Sequence, residues 1–170
     1  TENIEHPMRH TISVLVENKF GVLTRVTGLF SGRGYNIDSL TVSETQHEKH
    51  VSRITIVTSG TPAVIEQIKH QLDRLVPVHR VVDLTTEGEA IERELALVKL
   101  VGKGESRSEA LRLAAAFGAR TVDATLDSFV FELTGTSEEI ERYLRAVSEL
   151  GLAEVSRTGI AAMARGVAAF

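Results

Sequence analysis

His10-Thr11-Ile12-Ser13-Val14-Leu15-Val16-Glu17 runs through Asn18-Lys19-Phe20-Gly21 into Val22-Leu23-Thr24-Arg25-Val26-Thr27-Gly28-Leu29-Phe30. Ile12, Val14 and Val16 alternate with Ser13 and Leu15, the period-two pattern of a strand with one strongly apolar face. Four residues without that period follow. Val22, Val26, Leu29 and Phe30 then fall on one stripe of a helix. Gly32-Arg33-Gly34 stops it, since glycine takes the positive φ that ends a helix at little cost. A strand feeding a helix through a short Asn/Gly turn is the start of an α+β unit.

Working outward, Tyr35–Glu44 returns to a strand whose apolar phase slips between Ile37 and Leu40, predicting a bulge or a strand covered on both faces. Val51–Thr58 is a strand, Thr61-Pro62 caps and opens a helix carrying Val64, Ile65, Ile68 and Leu72, and Val76–Leu84 closes the unit. The order is βαββαβ. It recurs in Glu94–Val101, a helix announced by Ser106 and Glu109 as a capping box, strands Arg120–Leu126 and Phe129–Leu133, a helix behind a Thr136/Glu139 box, and Leu152–Arg157. The chain is thus expected to be a tandem of ferredoxin-like βαββαβ units, spanning 9–84 and 91–158, with an Ala-rich tail, 159–170, as a frayed helix or a docking segment. Two helices cover one face of each four-stranded sheet. Leu15, Leu40, Val98 and Phe131 are too apolar for a face left in water, which predicts that the other face meets a partner copy or the other half.

The 170 residues include 42% hydrophobic and 25% charged ones, with mean hydropathy +0.01. That is a globular balance without an 18-residue apolar run, so no membrane partner is expected. With 0 cysteines the chain has no disulfide, thiol nucleophile or thiolate metal site. The net charge of −4 and the absence of basic runs argue against nucleic acid as a partner.

No catalytic set emerges. Glu44, His47 and His50 are near in sequence but lack a further cluster to close a metal site, so no metal is expected. Asp38 and Glu44 are no more than surface carboxylates. Gly102-Lys103-Gly104-Glu105-Ser106 precedes a helix but lacks phosphate-loop spacing and is expected to be a tight connection. The turn after the first strand differs. Free N–H groups at the start of the following helix can hold a carboxylate. Gly21 permits close approach, Asn18 can both donate and accept, and Val22 and Leu23 offer apolar contact. Together these suit a small aliphatic amino acid, although an ordinary strand-to-helix turn uses the same residue types.

Residues 12–25 resemble the opening of an ACT domain. The continuation Gly28-Leu29-Phe30-Ser31-Gly32-Arg33-Gly34-Tyr35-Asn36-Ile37-Asp38-Ser39-Leu40-Thr41-Val42 narrows the likeness to the small regulatory subunits of acetohydroxyacid synthase, also called acetolactate synthase. Glu92-Arg93-Glu94-Leu95-Ala96-Leu97-Val98-Lys99 and the end from Gly159-Ile160 to Arg165-Gly166 extend it over residues 10–166. The resemblance implies a non-catalytic, cytoplasmic subunit, or a plastid one if a transit segment was removed. It would activate a large catalytic subunit carrying thiamine diphosphate, Mg and FAD, and confer feedback inhibition by valine or another branched-chain amino acid. It implies a homodimer or higher oligomer built through the ACT domains. The effector would lie between Asn18, Gly21, Val22 and Leu23 of one copy and Asn36 and Ile37 of its neighbour. The second unit, lacking the Asn-Gly turn, is expected to meet the large subunit, alone or with the first. The alternative is a free-standing amino-acid-sensing ACT protein.

Overall fold

The structure, a computed structural model, describes residues 7–46, 49–86, 88 and 90–170. His6 and His47 lie outside the described residues. Two compact units emerge, one comprising the described residues up to Ile91 together with Ile160–Phe170, the other Glu92–Gly159.

The first unit contains β1 (Met8–Glu17), α1 (Val22–Gly32), β2 (Ser39–Gln46), β3 (Val51–Gly60), α2 (Pro62–Asp73) and β4 (Val78–Asp83). Its antiparallel sheet has the order β2-β3-β1-β4. Across β1 and β3, Ile12 faces Ile56 and Val14 faces Ile54. These side chains pack with Val26 and Phe30 of α1 and Ile65, Ile68 and Leu72 of α2 into one buried core. Alternation on the strands and a stripe on each helix make this core possible. At the head of α2, Thr61 Oγ1 accepts from the Val64 N–H, with Pro62 at the first helical position.

One expectation changes here. Tyr35 and Ile37 precede β2 rather than belonging to it. The Tyr35 N–H donates to the Phe30 carbonyl, and its ring meets Phe30 edge-on at 6.4 Å. The slip in apolar phase therefore marks where the strand begins. The register shift in β2 lies further on, between Glu44 and Gln46.

The second unit takes in most of β5 (Ala90–Val101), α3 (Glu105–Phe117), β6 (Arg120–Ala124), β7 (Ser128–Gly135), α4 (Ser137–Val147) and the first part of β8 (Leu152–Ala164). Its sheet order is β6-β7-β5-β8. Ala96, Val98, Leu100, Phe129 and Phe131 pack under Ala110, Ala114, Ile140, Tyr143 and Val147. The Thr136/Glu139 capping box forms with both hydrogen bonds. The Ser106/Glu109 box does not. Gly104 takes the N-cap position, so α3 starts two residues earlier; Ser106 Oγ donates to the Lys103 carbonyl and Glu109 binds Arg112 instead.

β5 starts at Ala90, before the expected Glu94. Glu94 is buried because Arg157 on β8 donates to both its carboxylate oxygens at 2.9 Å, and Ser137 Oγ to one of them at 3.1 Å. Burial alone pushes the Glu94 carboxyl upward, but these partners outweigh it and hold it below the usual range.

The expectation about sheet faces is also revised. Leu40, Val98 and Phe131 lie on the helix side. Only Leu15 belongs to the outer face. On the first sheet that outer face is rich in hydroxyls, with Thr41, Thr55 and Ser13 side by side across β2, β3 and β1. The tail is not a helix: β8 continues to Ala164. Ile160 and Ala162 are buried with Val57, Val82 and Leu84, and Ala164 and Phe170 pack on the same cluster. The chain's own end covers part of the face for which another copy or half was expected.

Candidate functional site

β1 delivers Glu17 to the turn through a backbone bond from its N–H to the Pro77 carbonyl, and the Asn18 N–H donates to the His50 carbonyl at 2.6 Å. These bonds anchor the start of the Asn18–Gly21 turn to two neighbouring loops. Gly21 sits at the N-cap with φ 82°, in the left-handed region that favours glycine. No side chain caps α1, and no acidic residue occupies its first turn. Of the amides that open α1, that of Val22 donates to the Lys19 carbonyl at 3.4 Å, and those of Leu23 and Thr24 precede the first helical bond, from Arg25 to the Gly21 carbonyl. That end consequently carries the positive pole of the helix with nothing negative built into its first turn.

Asn18, Gly21 and Leu23 are exposed, and Phe20 is fully so. Val22 is different. Its side chain is buried in the core at 6% exposure. Asn18 Nδ2 donates to Glu44 Oε1 at 3.2 Å, which leaves the amide oxygen of Asn18 as an acceptor at the turn. Glu44 escaped the sequence reading as a neighbour of Asn18 because the two are 26 positions apart, with no local pattern to join them. Lys19 lies 2.8 Å from Glu17, and its hydrogen bond and charge hold that carboxyl below the ordinary value.

Asn36 and Ile37 occupy the other end of the sheet. Thr58 Oγ1 donates to the Asn36 carbonyl at 2.6 Å, and Asn36 Nδ2 donates to Asp38. Ile37 is half-buried against the core. His50, beside Asn18 and just before β3, and Thr58, beside Asn36 and on β3, are eight residues apart, or roughly 25 Å at strand rise. One copy of the chain does not bring the two halves of the expected site together. Asp38 and Glu44 are separated in the same way, Asp38 binding Ser59 Oγ and Glu44 binding Asn18. Among the described residues no group of three His, Asp or Glu side chains converges as a metal site.

The second unit has a turn at the same topological position. Gly102-Lys103-Gly104 leads to α3, also without a side-chain cap, but Glu105 stands in the first turn. The hollow there is lined by Gly104, Glu105, Ser106, Glu109 and Arg112, among others. The Gly102 N–H donates to the Asp127 carbonyl and Lys103 pairs with Asp127, so this is the expected tight connection.

Comparison with known proteins matches both units. A family described as the AHAS small subunit-like ACT domain matches residues 12–80, and one described as the small subunit of acetolactate synthase matches residues 93–166. The chain belongs to the acetolactate synthase small-subunit family. It is 44% identical over 159 residues to a probable acetolactate synthase small subunit of Archaeoglobus fulgidus, covering 94% of this chain and 98% of that protein. It is 42% identical over 160 residues to the isozyme 3 small subunit of Escherichia coli, covering 94% and 97%. The crystal structure of the acetolactate synthase small subunit from Thermotoga maritima superposes with TM-score 0.83 at 35% identity, covering 95% of this chain and 99% of that one. A small subunit of this family implies a catalytic large-subunit partner.

Proposed function

We propose that this chain is a non-catalytic regulatory subunit that raises the activity of a catalytic acetolactate synthase subunit and makes it sensitive to a branched-chain amino acid, with valine the first candidate. The thiamine diphosphate, Mg and FAD chemistry would belong to that partner. The observation that carries this reading is the turn into α1: an uncapped helix start behind Gly21, free of acidic residues, beside an exposed Asn18 and Leu23. It offers donors for a carboxylate, an acceptor for an ammonium group and an aliphatic surface.

The family resemblance implies that Asn36 and Ile37 belong to the effector site, and since they lie at the far end of the same sheet, a second copy would supply them. Dimerisation through the first unit would then be a condition for binding. The test is reconstitution with the catalytic subunit, titrated with valine, leucine and isoleucine, beside sedimentation of the small subunit alone. Stimulation, amino-acid-dependent inhibition and a dimer or larger species are expected. A strictly monomeric chain that still binds valine would defeat the shared site. A chain that binds valine but neither associates with nor stimulates the catalytic subunit would favour a free-standing sensor.

A further inference from the structure

The outer face of the first sheet carries polar chemistry that its own cover does not satisfy. Arg53, Leu15 and Arg80 form one row across β3, β1 and β4, next to the row of Thr41, Thr55 and Ser13. The end of the chain lies over these rows. The Ile160 N–H donates to Ser39 Oγ at 3.0 Å, Arg53 Nη2 donates to the Ala162 carbonyl at 2.9 Å, and the Phe170 ring sits 4.4 Å from the Arg80 guanidinium. Three side-chain atoms on this face, Ser13 Oγ, Thr41 Oγ1 and Arg53 Nε, are shut off from solvent without a protein partner. Burial also draws Arg53 below its ordinary value, with no compensating charge. Neither Arg53 nor Arg80 has a carboxylate at ion-pair distance among the described residues.

A buried donor without an acceptor, and a half-buried guanidinium without a counter-charge, both raise the energy of the covered state. β8 pairs with β5 and stays a strand to Ala164, but over this face the cover is held only by two hydrogen bonds to side chains, one ring–cation contact and a small apolar cluster. A glycine with positive φ precedes it, Gly159 at 84°, and another lies within it, Gly166 at 74°. We propose that Ile160–Phe170 is a displaceable strap over a docking surface, and that the surface receives a carboxylate-bearing segment of the catalytic subunit. Carboxylate oxygens would supply what Arg53 Nε, Ser13 Oγ and Thr41 Oγ1 lack, and Val57, Val82 and Leu84 would supply the apolar floor. The inference rests on the chain acting as a small subunit, as proposed above.

The absence of cysteine makes the test clean, since Ser39→Cys with Ile160→Cys introduces the only thiols. Affinity for the catalytic subunit is measured with the strap oxidised shut and again after reduction, using the full chain. Closure should weaken binding at least tenfold, and reduction should restore it. Phe170→Ala, which loosens the strap, should strengthen binding about threefold, a direction that a misfolded chain would not give. Equal affinity in the oxidised and reduced forms, or weaker or unchanged binding by Phe170→Ala, overturns the strap while leaving the regulatory reading intact. A wild-type chain that does not bind the catalytic subunit overturns both.

Discussion

The two units enter their first helices in nearly the same way and to opposite effect. Each passes from a strand through a short glycine-containing turn into a helix with no side-chain cap. In the first unit the turn has four residues, begins with Asn18, and leaves the first turn of α1 without an acid. In the second it has three, begins with Gly102, and is followed at once by Glu105. A carboxylate arriving at α1 meets the positive end of a helix with no acid in its first turn, whereas at α3 that first turn already holds a negative charge. The fold supplies an uncapped helix start twice, and the charge and side chains of the turn before it leave it available once.

The contrast extends to where each unit spends its polar groups. The second unit joins Arg157 to Glu94 and Glu141 inside its own structure, and Arg157 is held above its ordinary value by Glu94 first and Glu141 second, despite some burial. If that network serves stability rather than binding, Glu94→Ala should produce the largest effect of any change considered, about 3 kcal/mol, because it takes the buried, doubly bonded carboxylate from a partly buried guanidinium and leaves it only the exposed Glu141. Thermal unfolding should show the loss, with amino-acid binding by the folded chain unchanged. Acid should mimic it. Glu94 has a depressed folded value, so its contribution is present above the ordinary carboxylate pKa of about 4.3 and is lost as pH falls through the lower folded value. Glu94→Ala should flatten that acid limb. Impaired valine binding in the folded variant would break the division between the units.

The next effect is alkaline. Tyr143 is fully buried beside Phe117, its hydroxyl has no protein partner, and burial pushes its pKa up to about 12. A raised folded value means that the contribution is complete below the unfolded pKa of about 10 and falls as pH rises toward the folded one, by about 2 kcal/mol. Tyr143→Phe should remove this slope from the pH dependence of unfolding and leave the first unit's response to amino acid untouched. A slope that persists in the phenylalanine variant would move its origin to other groups.

How much of this was legible in the sequence follows from range. Thr136 and Glu139 are three apart and formed the capping box expected of them. Ser106 and Glu109 have the same spacing and did not, because Gly104 begins the helix early and Arg112 takes the glutamate. The turn at Asn18–Gly21 was visible because a strand, a break and a helix are each local patterns. The burial of Val22 was visible in principle, since it lies on the same stripe as Val26 and Phe30. Glu94 with Arg157 and Arg53 with Ala162 were beyond reach: they join positions 63 and 109 apart, and nothing in either neighbourhood marks its partner.

Gly21→Asp tests the first turn directly. Two effects must be kept apart. Any side chain at φ 82° strains the backbone by about 1 kcal/mol, less for Asp than for most residues, even though the added Cβ meets no atom within 4 Å. The carboxylate also stands where the effector's carboxylate is expected. Amino-acid affinity should fall roughly 5–30-fold, or about 1–2 kcal/mol, with activation of the catalytic subunit retained. Gly21→Ala carries the strain without the charge and should weaken binding less. Equal losses in the two variants would assign Gly21 to conformation alone, and no loss in either would remove it from the site.

The smallest effect belongs to Glu105→Gln, and it is the sharpest probe of what separates the two turns. Neutralising this exposed residue takes away the charge that now opposes an anion at α3. If charge alone distinguished the turns, the variant would acquire a second amino-acid site. The geometry argues otherwise. Gly102 supplies no side-chain acceptor where Asn18 supplies one, and the amide of Gly102 is already committed to the Asp127 carbonyl. The shorter connection is further fixed by Lys103 on Asp127 at 3.1 Å. Losing a favourable charge at a helix start should cost about 0.3–0.5 kcal/mol of stability. Calorimetric titration with valine should give the wild-type stoichiometry and an affinity within about twofold, or 0.4 kcal/mol, of wild type. A doubled stoichiometry would show that a neutral, uncapped helix start is sufficient, and that Asn18 is dispensable to the first site as well.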